Sequence, residues 1–546
     1  MLSRKILFLA IVSSSIYNYA SGQAQDARIP KVVPPSPNAA ALQKYGDIPV
    51  SAYTGMPSIS IPLYDIKSGD ISFPISISYN ASGVKVADEA SRVGLSWVLN
   101  AGGVISRSVV GGDDFEFLTY SYNNQTIPEI PKVPRFDQGA DFNMKDGCDV
   151  ILNGYGIDYS LPSTIFTEGN YDLQPDQYSY NFNGHSGKFG LRRNRNAVLN
   201  TIEKIDIKVI GSDASSWEIK TPDGTLYKFE QFETYVESGG TSNHHKSSWY
   251  LTKIISATGR TVDFVYSSNS SYIHSIGSYF ESKPGANIGS STNGDSGPHN
   301  ISMYAAAVPG KWYTNLYLTK ILFDNGEVQF NYLADRLDIS GDVRLTDIQI
   351  FSKKHGVAVN QLIKSWNFNY SYFEGTNFTG CFSNPNATTE NLTKRLKLVS
   401  VQESNGSSSL PPYQFSYNNE NDNPVLLPPK SWFGRDHWGY YNGKINTSLI
   451  PTHSNGCSND PIAFYLGSMG NDRNANPQYN QLFVLNKIKY PTGGFTTFEY
   501  ETNDFDNSNS VINDHSYFAN YVGTIPATAE AGFSNIQAGG TFTAAL

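Results

Sequence analysis

From Pro57 to Tyr79 apolar and polar residues alternate almost without interruption. Ile59, Ile61 and Leu63, then Ile71, Phe73, Ile75, Ile77 and Tyr79, fall on one side, with Ser58, Ser60, Ser72, Ser76 and Ser78 opposite. A period of two is the mark of strands with one face in a core, and Lys67-Ser-Gly-Asp70 supplies the turn of a hairpin. Pro62 and Pro74 cannot donate to a ladder, so each is expected at an edge or a bulge.

The same rhythm returns further along. Tyr178 to Phe182 and Lys188 to Leu191 flank a turn bounded by Gly184 and Gly187, and Trp217 to Lys220 and Leu226 to Phe229 flank Pro222-Asp-Gly224. Pro-Asp-Gly between alternating segments is a strong turn signal.

Four later windows repeat one unit: an apolar strand, a Gly-containing break, and a second strand closing on Phe-x-Tyr. They are Leu251-Thr-Lys-Ile254 to Phe264-Val-Tyr266, Leu318-Thr-Lys-Ile321 to Phe330-Asn-Tyr332, Leu398 to Phe415-Ser-Tyr417, and Leu485-Asn-Lys-Ile488 to Phe498-Glu-Tyr500. A related pair spans Leu345 to Phe351 and Trp366 to Tyr370. Rings two residues apart share a strand face, so stacked hairpins are expected to pool them into one aromatic wall. Segments 267–300 and 371–392 read as polar insertions, and helical periodicity is confined to short stretches such as Ala39 to Lys44.

Composition sharpens the picture. The 546 residues are 13% aromatic and only 16% charged, with 47 Gly and 28 Pro, which favours an all-β chain of repeated antiparallel hairpins forming an extended, curved sheet. The net charge of −9 comes without a Lys/Arg stripe, which argues against nucleic acid as a partner. Arg4 and Lys5 before the run Ile6 to Val12, with Ala20-Ser-Gly22 as a cleavage site, predict a signal peptide over 1–22 and a secreted or cell-surface protein. That run is too short to span a bilayer. Cys148, Cys381 and Cys457 are too few and too scattered to form a disulfide framework.

The expected organisation is a signal peptide (1–22), a Pro-containing linker (23–45), an N-terminal β module (46–110), a β-rich region with long loops (111–248), hairpin repeats with insertions (249–500) and a low-complexity segment (501–546).

The chemistry-bearing residues are sparse. His244, His245 and His274 lack the spacing of a metal site. Asp436-His437 has no Gly-x-Ser-x-Gly nucleophile beside it, and His437 is expected to pack within the cluster Asp436-His-Trp-Gly-Tyr-Tyr441. Asn419-Glu-Asn-Asp-Asn423 and Asp504 to Asn509 do not follow the calcium-loop pattern. Gly94, Gly102 and Gly103 fit neither phosphate-binding motif and are expected to allow close packing near Trp97. No catalytic, cofactor-binding or metal-binding residue is assigned, no cofactor is expected, and the chain reads as a non-enzymatic scaffold. Two alternatives stand beside it. One is an adhesin-like module recognising a glycan or partner through exposed aromatics; the other is a glycoside hydrolase, for which no carboxylate pair stands out.

Gly46-Asp-Ile-Pro-Val50, Ser76-Ile-Ser-Tyr79, Gly83, Gly94-Leu-Ser-Trp97 and Gly103-Val-Ile-Ser-Arg107 resemble the N-terminal region of exported Rhs/YD-repeat proteins of the Bacteroidetes kind. They are also similar to the opening module of SpvB and of the B component of insecticidal toxin complexes. Asp436 to Gly443 and Leu485 to Tyr500 look like that family's inter-repeat segment and repeat unit, and the resemblance covers roughly residues 35 to 500. It implies a β-shell that can enclose a C-terminal toxin. The repeats here lack an invariant Tyr-Asp pair, and no long array or variable effector follows them in this sequence. The implied partners are therefore a further Rhs/YD-repeat polypeptide or a toxin cargo.

Overall fold

The computed structural model describes residues 48–51, 53–110, 176–191, 197–199, 204–211, 214–237, 244–282, 304–308, 310–353, 360–375, 387–419, 427–449 and 471–502. The expected leader and linker, the three cysteines, Asp504 to Asn509 and most of the C-terminal segment lie outside them. Residues up to Ser58 form one unit, in which Val50 bridges Pro57, and Ile59 onward forms a second. All that follows concerns the second.

Strands β1 (Ile59–Ser68), β2 (Ile71–Tyr79) and β3 (Trp97–Asn100) make a three-stranded antiparallel sheet in that order. The alternation read from the sequence is the burial pattern: Ile59, Ile61, Leu63 and every odd residue from Ile71 to Tyr79 are buried. Pro62 sits at a bulge in edge strand β1, and Pro74 lies beyond the reach of β3, so neither costs a ladder bond.

The remaining strands pair antiparallel into a second, larger system, apart from one short hairpin. They are β4 (Gly103–Ser108), β5 (Gln177–Phe182), β6 (His185–Leu191), β7 (Ala197–Leu199), β8 (Asp206–Ile210), β9 (Ser216–Lys220), β10 (Leu226–Glu237), β11 (His245–Ile255) and β12 (Thr261–His274). The isolated hairpin, β13 (Ser278–Ser282) with β14 (Tyr304–Val308), follows. Then come β15 (Lys311–Phe323), β16 (Gly326–Leu333), β17 (Arg344–Ser352), β18 (Gln361–Glu374), β19 (Lys394–Ser404), β20 (Tyr413–Tyr417), β21 (Leu485–Lys489) and β22 (Phe495–Thr497).

Four strands close on themselves. β10 pairs with β11, β11 passes to β12 at Lys253↔Asp263, β12 runs along β15 from Val262↔Phe323, and β15 returns to β10 at Tyr235↔Tyr313. β4 to β7 branch from β11 through Trp249↔Ile105, and β9 branches from β10. From β15 the ladder continues through β22, each strand pairing with the next.

The four repeated windows are hairpins of this system. The second strand of one meets the first of the next at Tyr266↔Leu318 and Tyr417↔Leu485, while β17 and β18, the related pair of the sequence, sit between the second and third. Signature positions Leu251, Ile254, Ile321, Leu398, Val401, Leu485 and Ile488 are buried, as are Phe264, Phe330 and Phe415. In three repeats the closing tyrosine clasps its own hairpin. Tyr266 Oη donates to the Leu251 carbonyl at 2.9 Å, Tyr417 to Leu398 at 2.7 Å and Tyr500 to Leu485 at 2.8 Å. In these three units the Tyr of Phe-x-Tyr therefore ties the end of the hairpin to its beginning.

Two details differ from expectation. The β5–β6 turn is Asn183-Gly184 alone, with Phe182 facing His185, and His185 to Gly187 belong to the strand. Both turn residues have positive φ, 42° and 84°, the mirror-type turn that Asn-Gly favours because its twist matches the strands. The 371–392 insertion holds a helix, α1 (Thr389–Thr393), capped reciprocally by Thr388 and Asn391. Asn391 is buried and also donates to the Leu337 carbonyl at 2.9 Å, so its Asn-Leu-Thr triplet serves the cap.

Candidate functional site

The loop between β2 and β3, residues 80–96, is where the N-terminal sheet meets the ladder. Gly94, at φ +114°, lets Leu95 N reach the Leu396 carbonyl at 2.8 Å; a Cβ there would come within 3.0 Å of Leu398 N. That is why a glycine stands three residues before the tryptophan. Trp97 is fully buried, edge-on to Tyr79 at 5.2 Å and against Phe415 at 4.6 Å, and its Nε1 donates to Tyr417 Oη at 2.9 Å. Tyr79 Oη accepts from Leu485 N at 2.9 Å, and Trp366 Nε1 donates to the Leu63 carbonyl at 3.0 Å. The Gly-Leu-Ser-Trp motif is thus the seal between the first sheet and the third and fourth repeats.

Beside the seal lies a buried ionic cluster. Arg336 donates Nε and Nη2 to the two carboxylate oxygens of Asp338 at 3.0 and 2.7 Å, and Nη1 to Asp342 at 2.8 Å. Asp342 accepts from Arg92 Nε at 2.8 Å on its other oxygen. The Arg336 and Asp338 side chains have no exposure. Burial opposes the Arg336 charge, but the bonded Asp338 and nearby Asp342 outweigh it and raise its pKa. The cluster stitches segments distant in sequence together: Arg336 also reaches the Ala90 carbonyl at 2.9 Å, Asp338 accepts from Leu396 N at 2.9 Å, and fully buried Arg395 donates to the Val86 carbonyl at 2.6 Å.

Lys430 completes it, donating Nζ to the Asp338 carbonyl at 3.0 Å. Burial, with the Arg395 guanidinium beside it, holds the Lys430 ammonium down to about 8. The unfolded chain keeps that proton to about 10.4, the ordinary lysine value. From a pH of about 8 upward, therefore, the unfolded state binds more protons and stability should climb; below it both states are protonated and the contribution is flat. Lys430→Met should abolish the climb, read as the shift in urea midpoint between pH about 7.5 and about 9.5. An equal climb in both proteins would refute the assignment.

Next to the cluster opens a cavity of about 690 Å³, walled by Tyr250, Tyr266, Tyr317 and Tyr332 from β11, β12, β15 and β16, with Arg92 and Asp342 in its lining. Tyr250 Oη donates to Glu233 Oε2 at 3.0 Å, and burial raises the Glu233 carboxyl despite bonds from Ser247 and Tyr250. Arg92 donates to Asp342, to the Leu316 carbonyl at 2.7 Å and to Asn315 Oδ1 at 3.2 Å.

The residues weighed in the sequence fall elsewhere. His437 is exposed, not packed in the aromatic cluster; the buried member is Asp436, whose Oδ1 accepts from Trp438 N and Tyr440 N, both at 2.9 Å. The acid turns toward backbone amides, so no Asp–His dyad forms. His245 lies against Tyr235 at 5.2 Å, His244 is exposed, and no group of three His, Cys, Asp or Glu able to hold a metal occurs among the described residues. Asn419 is a positive-φ turn residue, and the rest of its Asn-rich run lies outside the described residues. The cluster and the cavity carry no sequence motif. The one available signal was Asp335-Arg-Leu-Asp338 with Asp342 and Arg344, a dense run of charge in a chain poor in it.

Fold and site together define an all-β protein of stacked antiparallel hairpins sealed by an N-terminal sheet. No family model matches the sequence, and no curated protein matches it. Among solved structures the chain is similar to the TcdB2-TccC3 complex, at 12% identity and TM-score 0.31, over 68% of this chain and 16% of that one. It is similar to the Tc holotoxin pore of Photorhabdus luminescens, at 12% identity and TM-score 0.31, over 66% and 16%. It is also similar to the N-terminal domain of effector protein SpvB from Salmonella typhimurium strain LT2, at 10% identity and TM-score 0.28, over 64% and 99%. The chain spans 16% of the toxin-complex chains it matches, and the function proposed for it rests on its own residues. No helix among the described residues is long and apolar enough to cross a membrane.

Proposed function

We propose that this chain is a non-enzymatic, exported β-scaffold, the N-terminal part of an Rhs/YD-type shell or surface assembly that serves delivery of a C-terminal or separate toxin. The observation that carries the proposal is the edge-to-edge addition of like hairpins from β15 to β22, with Leu318, Ile321, Phe330, Leu398, Phe415, Leu485 and Ile488 buried. Such an array grows by adding units, and its chemistry is spent on holding them together. The charged residues in the interior support the same reading, since Arg336, Asp338 and Asp342 are engaged with one another.

The test is co-expression of the full chain with the polypeptide encoded immediately downstream, followed by size exclusion and negative-stain electron microscopy. A joint, hollow, strand-rich particle is expected. A chain that remains alone, together with turnover in a hydrolase screen abolished by a single Asp or Glu replacement, would overturn the proposal in favour of an enzyme.

A further inference from the structure

The tyrosine clasp is made by Tyr266, Tyr417 and Tyr500 and is missing at Tyr332 and Tyr370, the closing residues of the two adjoining hairpins β15–β16 and β17–β18. The Tyr370 hydroxyl is buried without a hydrogen-bond partner. The Tyr332 side chain opens instead onto the cavity of about 690 Å³, its ring leaning on Tyr317 with centroids 4.9 Å apart. Neither the Tyr317 nor the Tyr332 hydroxyl has a hydrogen-bond partner among the described residues. A dry, unpaired hydroxyl costs roughly 1–3 kcal/mol, so water or a ligand has to satisfy this pair.

The lining selects among ligands. An anion is disfavoured, because the Arg92 charge is already matched by Asp342 at 2.8 Å and its guanidinium also holds Leu316 and Asn315. A wholly apolar ligand would bury two hydroxyls unpaired. What the wall offers is ring faces, phenolic hydroxyls, and carboxamides from Asn181 and Asn183, the Asn100 amide being bonded to Ser76 and Ser78, around an ion pair that is neutral as a unit. A sugar ring matches this set, with a C–H face to lie on an aromatic ring and hydroxyls that both donate and accept. The volume lies within the ~300–1,000 Å³ of small-molecule sites, enough for more than one sugar residue.

The geometry points to a saccharide-binding site, in which a neutral di- or trisaccharide stacks on Tyr317 and bonds its hydroxyls to Tyr332 and the asparagine amides. This holds whether or not the chain belongs to a shell, so its test and the co-assembly test fail separately.

The experiment is saturation-transfer NMR on the full chain with maltose, cellobiose, lactose, mannobiose and chitobiose, with inorganic phosphate and anilinonaphthalene sulfonate as competitors. At least one disaccharide should receive saturation, and Tyr332→Phe, which removes one oxygen, should weaken it about tenfold. Tyr317→Ala should weaken it further; if that variant does not fold, Tyr332→Phe with an unchanged urea midpoint carries the test. No saturation of any of the five by the folded chain overturns the proposal. So does binding that both variants leave untouched, or displacement by phosphate or by the apolar dye alone.

Discussion

Arg336→Ala should destabilise the protein by about 3–5 kcal/mol, the range found when one partner of a buried ion pair is removed. The loss does not arise chiefly from attraction forgone. Asp338, with no exposure, and Asp342, at 7%, would lose the guanidinium bonded to both, leaving Arg92 on Asp342 and the more distant Lys430 and Arg395 charges near Asp338 to compensate. Part of the damage would be structural, since the same guanidinium holds the Ala90 carbonyl. Equilibrium urea unfolding followed by tryptophan fluorescence reads the change. Arg336→Lys should recover only part of it, because an ammonium cannot repeat the forked bond to Asp338. A midpoint within error of wild type for Arg336→Ala would show that water already enters the cluster.

Trp97→Ala should cost a comparable amount, about 3–5 kcal/mol for a large aromatic removed from a core. The site cannot collapse easily, because Tyr79 on β2 and Phe415 and Tyr417 on β20 hold it from two strands of different sheets. Trp97→Phe keeps the ring contacts and loses the Nε1 bond to Tyr417, so about 1–2 kcal/mol is expected for a single buried hydrogen bond with its small void. The second readout is local. With the seal broken, amides of β3 should exchange with solvent faster than those of β11, which lies between β10 and β4. Uniform acceleration across both strands would mean that the tryptophan supports the whole fold and not the seam.

Much of the fold was legible because its rules are local. Period-two alternation from Ile59 to Tyr79 is a direct imprint of a sheet with one dry face, and Pro222-Asp-Gly224 announces its turn. Asp223 there accepts from Thr221, from Thr225 N at 3.2 Å and from Thr225 Oγ1 at 2.8 Å, which holds its carboxyl below the usual range. The Leu and Phe-x-Tyr spacing marked the repeats for the same reason. What the sequence hid depends on distance along the chain. Arg92 and Asp342 are 250 residues apart, and Trp97 and Tyr417 are 320 apart; no periodicity links such pairs. The cavity is hidden more deeply still, since Tyr332 and Tyr266 occupy equivalent places in the repeat and only their surroundings decide which one makes the clasp. His437 was misplaced because an aromatic neighbourhood suggests packing, whereas a turn capped by Asp436 throws the following side chain outward.

The seam also dictates a schedule. The dry face of β1 and β2 is covered by Phe264, Trp366 and the Leu485 backbone, all made long after it, so an N-terminal sheet emerging first has to stay uncovered while some four hundred further residues are synthesised. Long-range closure of this kind is slow and leaves apolar strands open to misassociation. A chain built this way is expected to depend on a holding chaperone until its later hairpins arrive.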